Sequence, residues 1–296
     1  MKEIVILSGK GGVGKSTITA SLGTILSKDY KVVMADTDVD LPNLGLFFHA
    51  AERESKEIST SEKAFIDYEQ CTGCLQCVDV CRFCSMVASD NKPLVISYSC
   101  EGCGACAVIC PEDAIAIKKV VNGSIIISDT NNMVIVSGEL SIGESSSGGI
   151  VDEVRKTAKK EAERLNTDLI VTDGPPGIGC PVISSMKGSS YVIAVTEPTP
   201  AALNDLKRLA EVIEHFQIPC GLVINKSDIH PGGIQAIKDF AQINTISVLS
   251  EIPYDVHIPK AIAEARPVVT AYPEAPSSIA VRILADKLKS IIKKLN

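Results

Sequence analysis

Eight residues near the start of the chain constrain its fold more than any other segment. Gly9-Lys10-Gly11-Gly12-Val13-Gly14-Lys15-Ser16 comes directly after the apolar run EIVIL (3–7) and matches GxxxxGK followed by Ser or Thr, in the strand-to-helix context that this motif requires. Its glycines let backbone N–H groups converge on phosphates. Lys15 can reach the terminal phosphates, and the Ser16 hydroxyl, followed by Thr17, can ligate Mg²⁺ at a helix N-terminus. The competing reading, a tight glycine turn that binds nothing, is outweighed by position and context.

A strand–loop–helix start of this kind calls for an α/β fold, and the rest of the chain supplies one. Apolar runs recur at KVVMA (31–35), MVIVS (133–137), DLIVT (168–172), YVIAV (191–195) and CGLVI (220–224). Their near-continuous Val and Ile content suits strands buried on both faces of a mostly parallel sheet. Val151–Leu165, Ala201–Phe216 and Ile279–Leu295 carry helical periodicity. The pattern is doubly wound α/β. It breaks between Glu62 and Ile117 into a cysteine-rich stretch and then resumes, which divides the 296 residues into 1–61, an insert at 62–118, and 119–296.

The insert holds nine of the eleven cysteines. Cys71, Cys74, Cys77 and Cys81 fit CxxCxxCxxxC; Cys100, Cys103, Cys106 and Cys110 repeat it, with Pro111 after the last. Two copies at this spacing are specific for a bacterial-type ferredoxin with two 4Fe-4S clusters, an α+β unit in which the fourth cysteine of each run ligates the other cluster. One cluster would then take Cys71, Cys74, Cys77 and Cys110, and the other Cys100, Cys103, Cys106 and Cys81. Zinc competes for thiolates at CxxC spacing. Cys81 is followed by Arg82-Phe83-Cys84 instead of proline, and Cys84 is read as a packed spare thiol. Cys180 and Cys220 are read as buried and inert.

Charge and targeting signals narrow the setting. A net charge of −7 with no clustered Lys and Arg argues against a nucleic-acid platform. The N-terminus lacks the features of a signal peptide, and no run approaches the ~20 apolar residues of a membrane span. A cytoplasmic protein is expected, in which crowded cysteines mean metal and not disulfides. The tail RILADKLKSIIKKLN has helical spacing with several lysines and is read as the last core helix, with membrane attachment not expected.

The second lysine, Lys10, makes the loop KGGVGKST, which resembles that of the MinD/ParA/Mrp and nitrogenase iron protein superfamily of deviant-Walker ATPases. The resemblance runs through nearly the whole chain, and ATPases of this superfamily with an inserted ferredoxin domain are known. It implies ATP and ADP as ligands bound by Gly9 through Thr17, with Mg²⁺. It also implies a homodimer in which Lys10 reaches the partner's nucleotide. In Ala35-Asp36-Thr37-Asp38-Val39-Asp40 it puts a switch, with Asp36 in the Mg²⁺ shell and Asp38 positioning the attacking water; Asp40 is read as a solvated carboxylate. DLIVTDGPPGIG resembles the second switch, with Asp173 binding Mg²⁺ through water. Asn225-Lys226-Ser227-Asp228 resembles both an adenine-reading asparagine and the NKxD element of GTPases, and Pro253 lies in a segment like the loop that packs on the base. ATP is favoured; GTP stays open. Lys10, Lys15 and Asp38 are the catalytic candidates.

Three functions are compatible with these parts. The first couples ATP hydrolysis to electron transfer from the clusters to a redox partner. The second delivers clusters to an apo-protein, although the CxxC pair usual in Mrp-type carriers is missing outside the insert. The third is a MinD- or ParA-like regulator that senses redox state. Cys180, seven residues after Asp173, has an offset like that of a bridging-cluster cysteine in the nitrogenase iron protein, but no second cysteine lies between Val120 and Asp173.

Overall fold

A computed structural model describes residues 1–144 and 148–295. The first strand, β1 (Lys2–Ser8), leads through the glycine loop into α1 (Lys15–Leu26), and then come β2 (Val32–Asp36) and β3 (Ala51–Ile58). The cysteine-rich stretch contains β4 (Ser61–Ile66), α2 (Gln76–Val80), β5 (Met86–Ser89), β6 (Lys92–Val95), α3 (Ala105–Ile109) and β7 (Ile115–Val120). After it the chain forms β8 (Gly123–Asp129), β9 (Val134–Leu140), α4 (Gly148–Arg164), β10 (Leu169–Pro176) and α5 (Cys180–Met186). The last part alternates β11 (Tyr191–Thr196), α6 (Pro200–His215), β12 (Cys220–Asn225), α7 (Pro231–Ile243) and β13 (Ser247–Ile252) before α8 (His257–Ala263), α9 (Val268–Ala271) and α10 (Pro276–Lys294).

Nine strands make one sheet in the order β13-β12-β11-β1-β10-β2-β9-β8-β3. The seven from β13 to β9 run parallel, while β8 is antiparallel to both of its neighbours. Period-2 alternation sends successive side chains of the central strands to opposite faces. Ile4 and Ile6 pack with α1 and α10, whereas Val5 and Leu7 join α5 and α6. Further along, Val33, Val136 and Ile170 lie under α4 with Ile150, Val154 and Ala158. Burial on both faces is why these strands read as unbroken apolar runs.

The edge strand β3, AERESKEI, is exposed over all but its last residue. Its charges, with Arg53 bonded to Asp129 and Glu161, blunt an edge that would otherwise recruit other strands. Between β3 and β8 the chain leaves the sheet. There β4 pairs antiparallel with β7, β5 with β6, and a small core forms from Ala64, Cys77, Met86 and Ile115. Among the described residues, no helix is long and apolar enough to cross a membrane.

Candidate functional site

The loop between β1 and α1 ends at Gly14, whose φ of 92° lies in the left-handed region; a Cβ there would stand 2.3 Å from Asn225 Nδ2. Only glycine satisfies both constraints. Ile18 N–H closes the first helical turn on Gly14 O at 3.1 Å, and Ser16 is half-buried in that turn. Lys15 follows Gly14 and is buried. Its Nζ lies 3.1 Å from Asp173 Oδ1 and 3.7 Å from Asp38 Oδ2, close enough for ion pairing but without the alignment of a hydrogen bond. A buried ammonium with unspent donors at the mouth of a glycine loop fits phosphate oxygens.

The carboxylates are set by strand register. Asp173 pairs with Asp36 across β10 and β2, so two acids stand side by side at the ends of adjacent strands, each about 1% exposed. Thr19 Oγ1 donates to Asp173 Oδ1 at 2.8 Å. Both Asp36 oxygens accept backbone N–H groups, from Asp38 at 3.2 Å and Leu44 at 2.9 Å, which pins the loop that follows β2. Burial, then the charge of Asp173, pushes the Asp36 carboxyl up to about 8 against the pull of Leu44 N–H and Lys15. Burial also raises Asp38, opposed by Lys15. For Lys15 burial acts downward, but Asp173, Asp38 and Asp36 outweigh it and the net shift is upward. Three carboxyls around one lysine make an oxygen donor set that suits a divalent cation. Asp40 is exposed.

Lys10 points away from these acids. Its Nζ pairs with Glu197 Oε1 at 2.8 Å, while Lys226 Nζ takes Glu197 Oε2 at 2.8 Å and reaches Gly12 O at 3.2 Å. Burial works to raise Glu197, and the two lysines more than offset it, holding the carboxyl below its ordinary range. Asn225 Nδ2 donates to Val13 O at 2.7 Å, clamping the end of β12 onto the loop. Beside it opens a cavity of about 310 Å³, lined by Gly12, Gly14, Thr17, Asn225, Lys226, Ile252, Tyr254 and apolar residues of α8 to α10. Pro253 does not line it; its neighbours Ile252 and Tyr254 do, because the strand alternation of β13 carries into the loop. Asp228 accepts from Tyr254 N at 2.7 Å and holds that loop in place.

Residues 4–268 match the family described as the CobQ/CobB/MinD/ParA nucleotide binding domain. The chain belongs to this family. The protein MJ0578 of Methanocaldococcus jannaschii is 35% identical over 98% of this chain and 97% of its own length. The iron-sulfur cluster carrier protein of Pyrococcus horikoshii is 24% identical over 99% of this chain and 87% of its own. Among solved structures, the septum site-determining protein MinD of Pyrococcus horikoshii, complexed with Mg-ADP, superposes with a TM-score of 0.62 at 20% identity, covering 100% of this chain and 98% of that one. That likeness is one of fold, an α/β P-loop fold with a large, mostly parallel sheet.

Within this nucleotide-binding family domain the cysteines form a second constellation. One small cavity is lined by Cys71, Cys74, Cys77 and Cys110, with Ala114 and Ile115. A second is lined by Cys81, Cys100, Cys103 and Cys106, with Ala64 and Ile117. Backbone N–H groups point at the sulfurs: Ser85 to Cys81 and Ala114 to Cys110 at 3.3 Å, and Ala64 to Cys100 at 3.5 Å. Burial raises the thiols of Cys77 and Cys106; at Cys81 the backbone donors of Ser85, Phe83 and Met86 overcome burial and lower it. Among the described residues, no three His, Cys, Asp or Glu side chains converge at the spacing of a single-ion site.

Two of the three spare cysteines depart from the expectation of buried, inert thiols. Cys84 is exposed at a φ of 50° and does not pack in the core. Cys180 is exposed at the first residue of α5, where the helix start turns it outward. Cys220 is part-buried, and burial raises its thiol. Glu197 was not among the residues expected at the site, although an acid directly after the apolar strand YVIAVT sits at the same crevice-facing strand end that singles out Asp36.

Proposed function

We propose that the chain is an ATPase in which residues 62–118 hold two 4Fe-4S clusters, and that the nucleotide state of a homodimer governs electron transfer from them to a protein partner. The observation that carries this reading is the partition of the eight cysteines. Each cavity takes three thiols from one CxxCxxCxxxC run and the fourth from the other, the crossed arrangement of a two-cluster ferredoxin. When bound, the clusters supply one-electron redox chemistry. The chain's own part is to wrap them in short helices and aim N–H groups at the thiolates, which tunes their potentials.

At the nucleotide, the amides of Gly11 to Lys15 would cradle the phosphates, and Lys15 would swing from Asp173 and Asp38 onto the terminal phosphate. That move strips the two acids of their cation. Ser16, Asp36 and Asp173 would then hold Mg²⁺, which supplies charge compensation, and Asp38 would orient the water that attacks the γ-phosphorus as the bond to ADP breaks. Lys10, retracted onto Glu197, would extend across the dimer to the partner's nucleotide. Lys63 of β4 is buried and pairs with Glu144, after β9, at 3.1 Å, which ties the insert to the segment that leaves the large sheet.

Cluster delivery is the second reading, supported by the similarity to the Pyrococcus horikoshii carrier. The test is an anaerobic reconstitution in which iron, zinc and acid-labile sulfide are counted per chain and ATP turnover is measured. About eight irons and eight sulfides retained through turnover with an apo-protein acceptor present support electron transfer. Loss of clusters to the acceptor supports delivery, and stoichiometric zinc without sulfide sinks both.

A further inference from the structure

The cavity beside the phosphate loop contains a polar group that neither phosphate nor Mg²⁺ binding uses. Ser21 lies one turn beyond Thr17 on α1, is fully buried, and lines that cavity. Among the described residues its hydroxyl has no hydrogen-bond partner. Two other hydroxyls of the same helix are spent: Thr19 Oγ1 is engaged by Lys15 O and Asp173, and Thr24 Oγ1 donates to Ala20 O. A buried unpaired hydroxyl is uncommon and calls for an explanation. Ile18, Ile258, Ile262, Val268 and Val281 make apolar walls, and Thr17, Asn225, Lys226, Asp255 and Ser277 also line the cavity. An apolar slot with a few convergent polar groups is how proteins orient a flat ring.

The carboxylates near this slot are already committed. Asp255 Oδ1 accepts from His257 N at 2.9 Å and contacts His257 Nδ1 at 2.7 Å; Oδ2 accepts from Ser277 N at 3.0 Å and Ser277 Oγ at 2.8 Å. Asp228 is exposed outside the slot's lining, and its Oδ1 accepts from Tyr254 N. A guanine ring would bring its N1–H and exocyclic N2–H donors into a slot that offers no open carboxylate, and buried unpaired donors are strongly disfavoured. Adenine brings a single exocyclic amino group.

We propose that the Ser21 hydroxyl accepts a hydrogen bond from the exocyclic 6-amino group of adenine, and so fixes the base and sets the preference for adenine over guanine nucleotides. This rests on the reading of the loop as a nucleoside triphosphate site. It adds a residue on the helix after the phosphate loop to the base contacts offered by Asn225 and the 252–255 loop.

The experiment is calorimetric binding of ATP, of purine riboside triphosphate, which lacks the 6-amino group, and of GTP, to the cluster-replete wild type and to Ser21→Ala and Ser21→Thr. The Ser21→Ala change should weaken ATP by about tenfold and leave the purine analogue unchanged, a loss of one hydrogen bond. Ser21→Thr, which keeps the hydroxyl, should retain discrimination between ATP and the analogue. Equal binding of ATP by wild type and Ser21→Ala overturns the inference, as does equal weakening of ATP and analogue, which would mark a packing role. Failure of the wild type to bind any of the three nucleotides would instead overturn the triphosphate reading beneath it.

Discussion

Replacing Asp36 with asparagine should stabilise the nucleotide-free protein at neutral pH while abolishing ATP turnover. Asp36 is buried in register with Asp173, and burial together with that neighbour lifts its carboxyl from 3.8 to about 8. Its folded value therefore lies above its unfolded one. Below about pH 3.8 both states carry the proton and no penalty arises; as pH rises toward 8 the unfolded chain releases the proton and the native state does not, so stability falls. The slope approaches ~1.4 kcal/mol per pH unit, which makes ~2.7 kcal/mol between about pH 5 and pH 7. Relaxation of the site around the charge brings this to about 2 kcal/mol. Asparagine does not titrate. It also loses an acceptor for Asp38 N–H or Leu44 N–H, a cost that is nearly independent of pH and shifts the offset without changing the slope. The assay is urea unfolding of cluster-replete wild type and Asp36→Asn, anaerobically, in EDTA, at both pH values; cluster effects common to the two proteins cancel in the difference. The variant's advantage should grow by about 2 kcal/mol from the lower to the higher pH. A difference that stays flat or shrinks would refute the reasoning.

Substituting Lys15 with methionine should lower ATP turnover ~100-fold or more, since it removes the charge that follows the γ-phosphate, as read in a phosphate-release assay. For the cysteines, Cys71→Ser and Cys110→Ser should each cost one cluster, and the double variant no more than either alone, because both thiols line one cavity; Cys110→Ser with Cys100→Ser should lose both clusters, by iron and sulfide count. Burial acts to raise Asp255, but Ser277 and His257 outweigh it and bring the carboxyl down to about 2. Its contribution is present above its unfolded value of 3.8 and fades as pH falls toward 2, so Asp255→Asn should cost about 2 kcal/mol at neutral pH with the gap narrowing below about pH 4, measured by denaturant midpoints.

Much of the frame was legible because its signals are local. The runs at 3–7, 168–172, 191–195 and 220–224 became strands that start within a residue of those bounds, as burial on both faces demands an apolar run that turns cannot interrupt. The phosphate loop and the doubled cysteine spacing are local in the same sense. What stayed hidden depends on partners far along the chain. β3 shows no apolar alternation because it is an edge strand exposed along its length, and nothing in AERESKEI marks it as a strand. Glu197 acquires meaning only when the fold brings Lys10 and Lys226 to its two oxygens. The sequence suggested Asp36 for a metal shell, but not that both of its oxygens would also hold the loop after β2. Cys84 and Cys180 look like core thiols by composition, whereas a left-handed turn and a helix start expose them.

The central claim is that nucleotide and clusters speak to each other within one chain, and the most direct measurement is an EPR-monitored redox titration of the anaerobically reconstituted protein with and without MgATP, iron being counted in the same sample. The account predicts two clusters, at least one of whose midpoint potentials moves by ~30 mV or more on MgATP binding, equivalent to about 0.7 kcal/mol for a one-electron couple. Two clusters whose potentials stay fixed while ATP binds would contradict it.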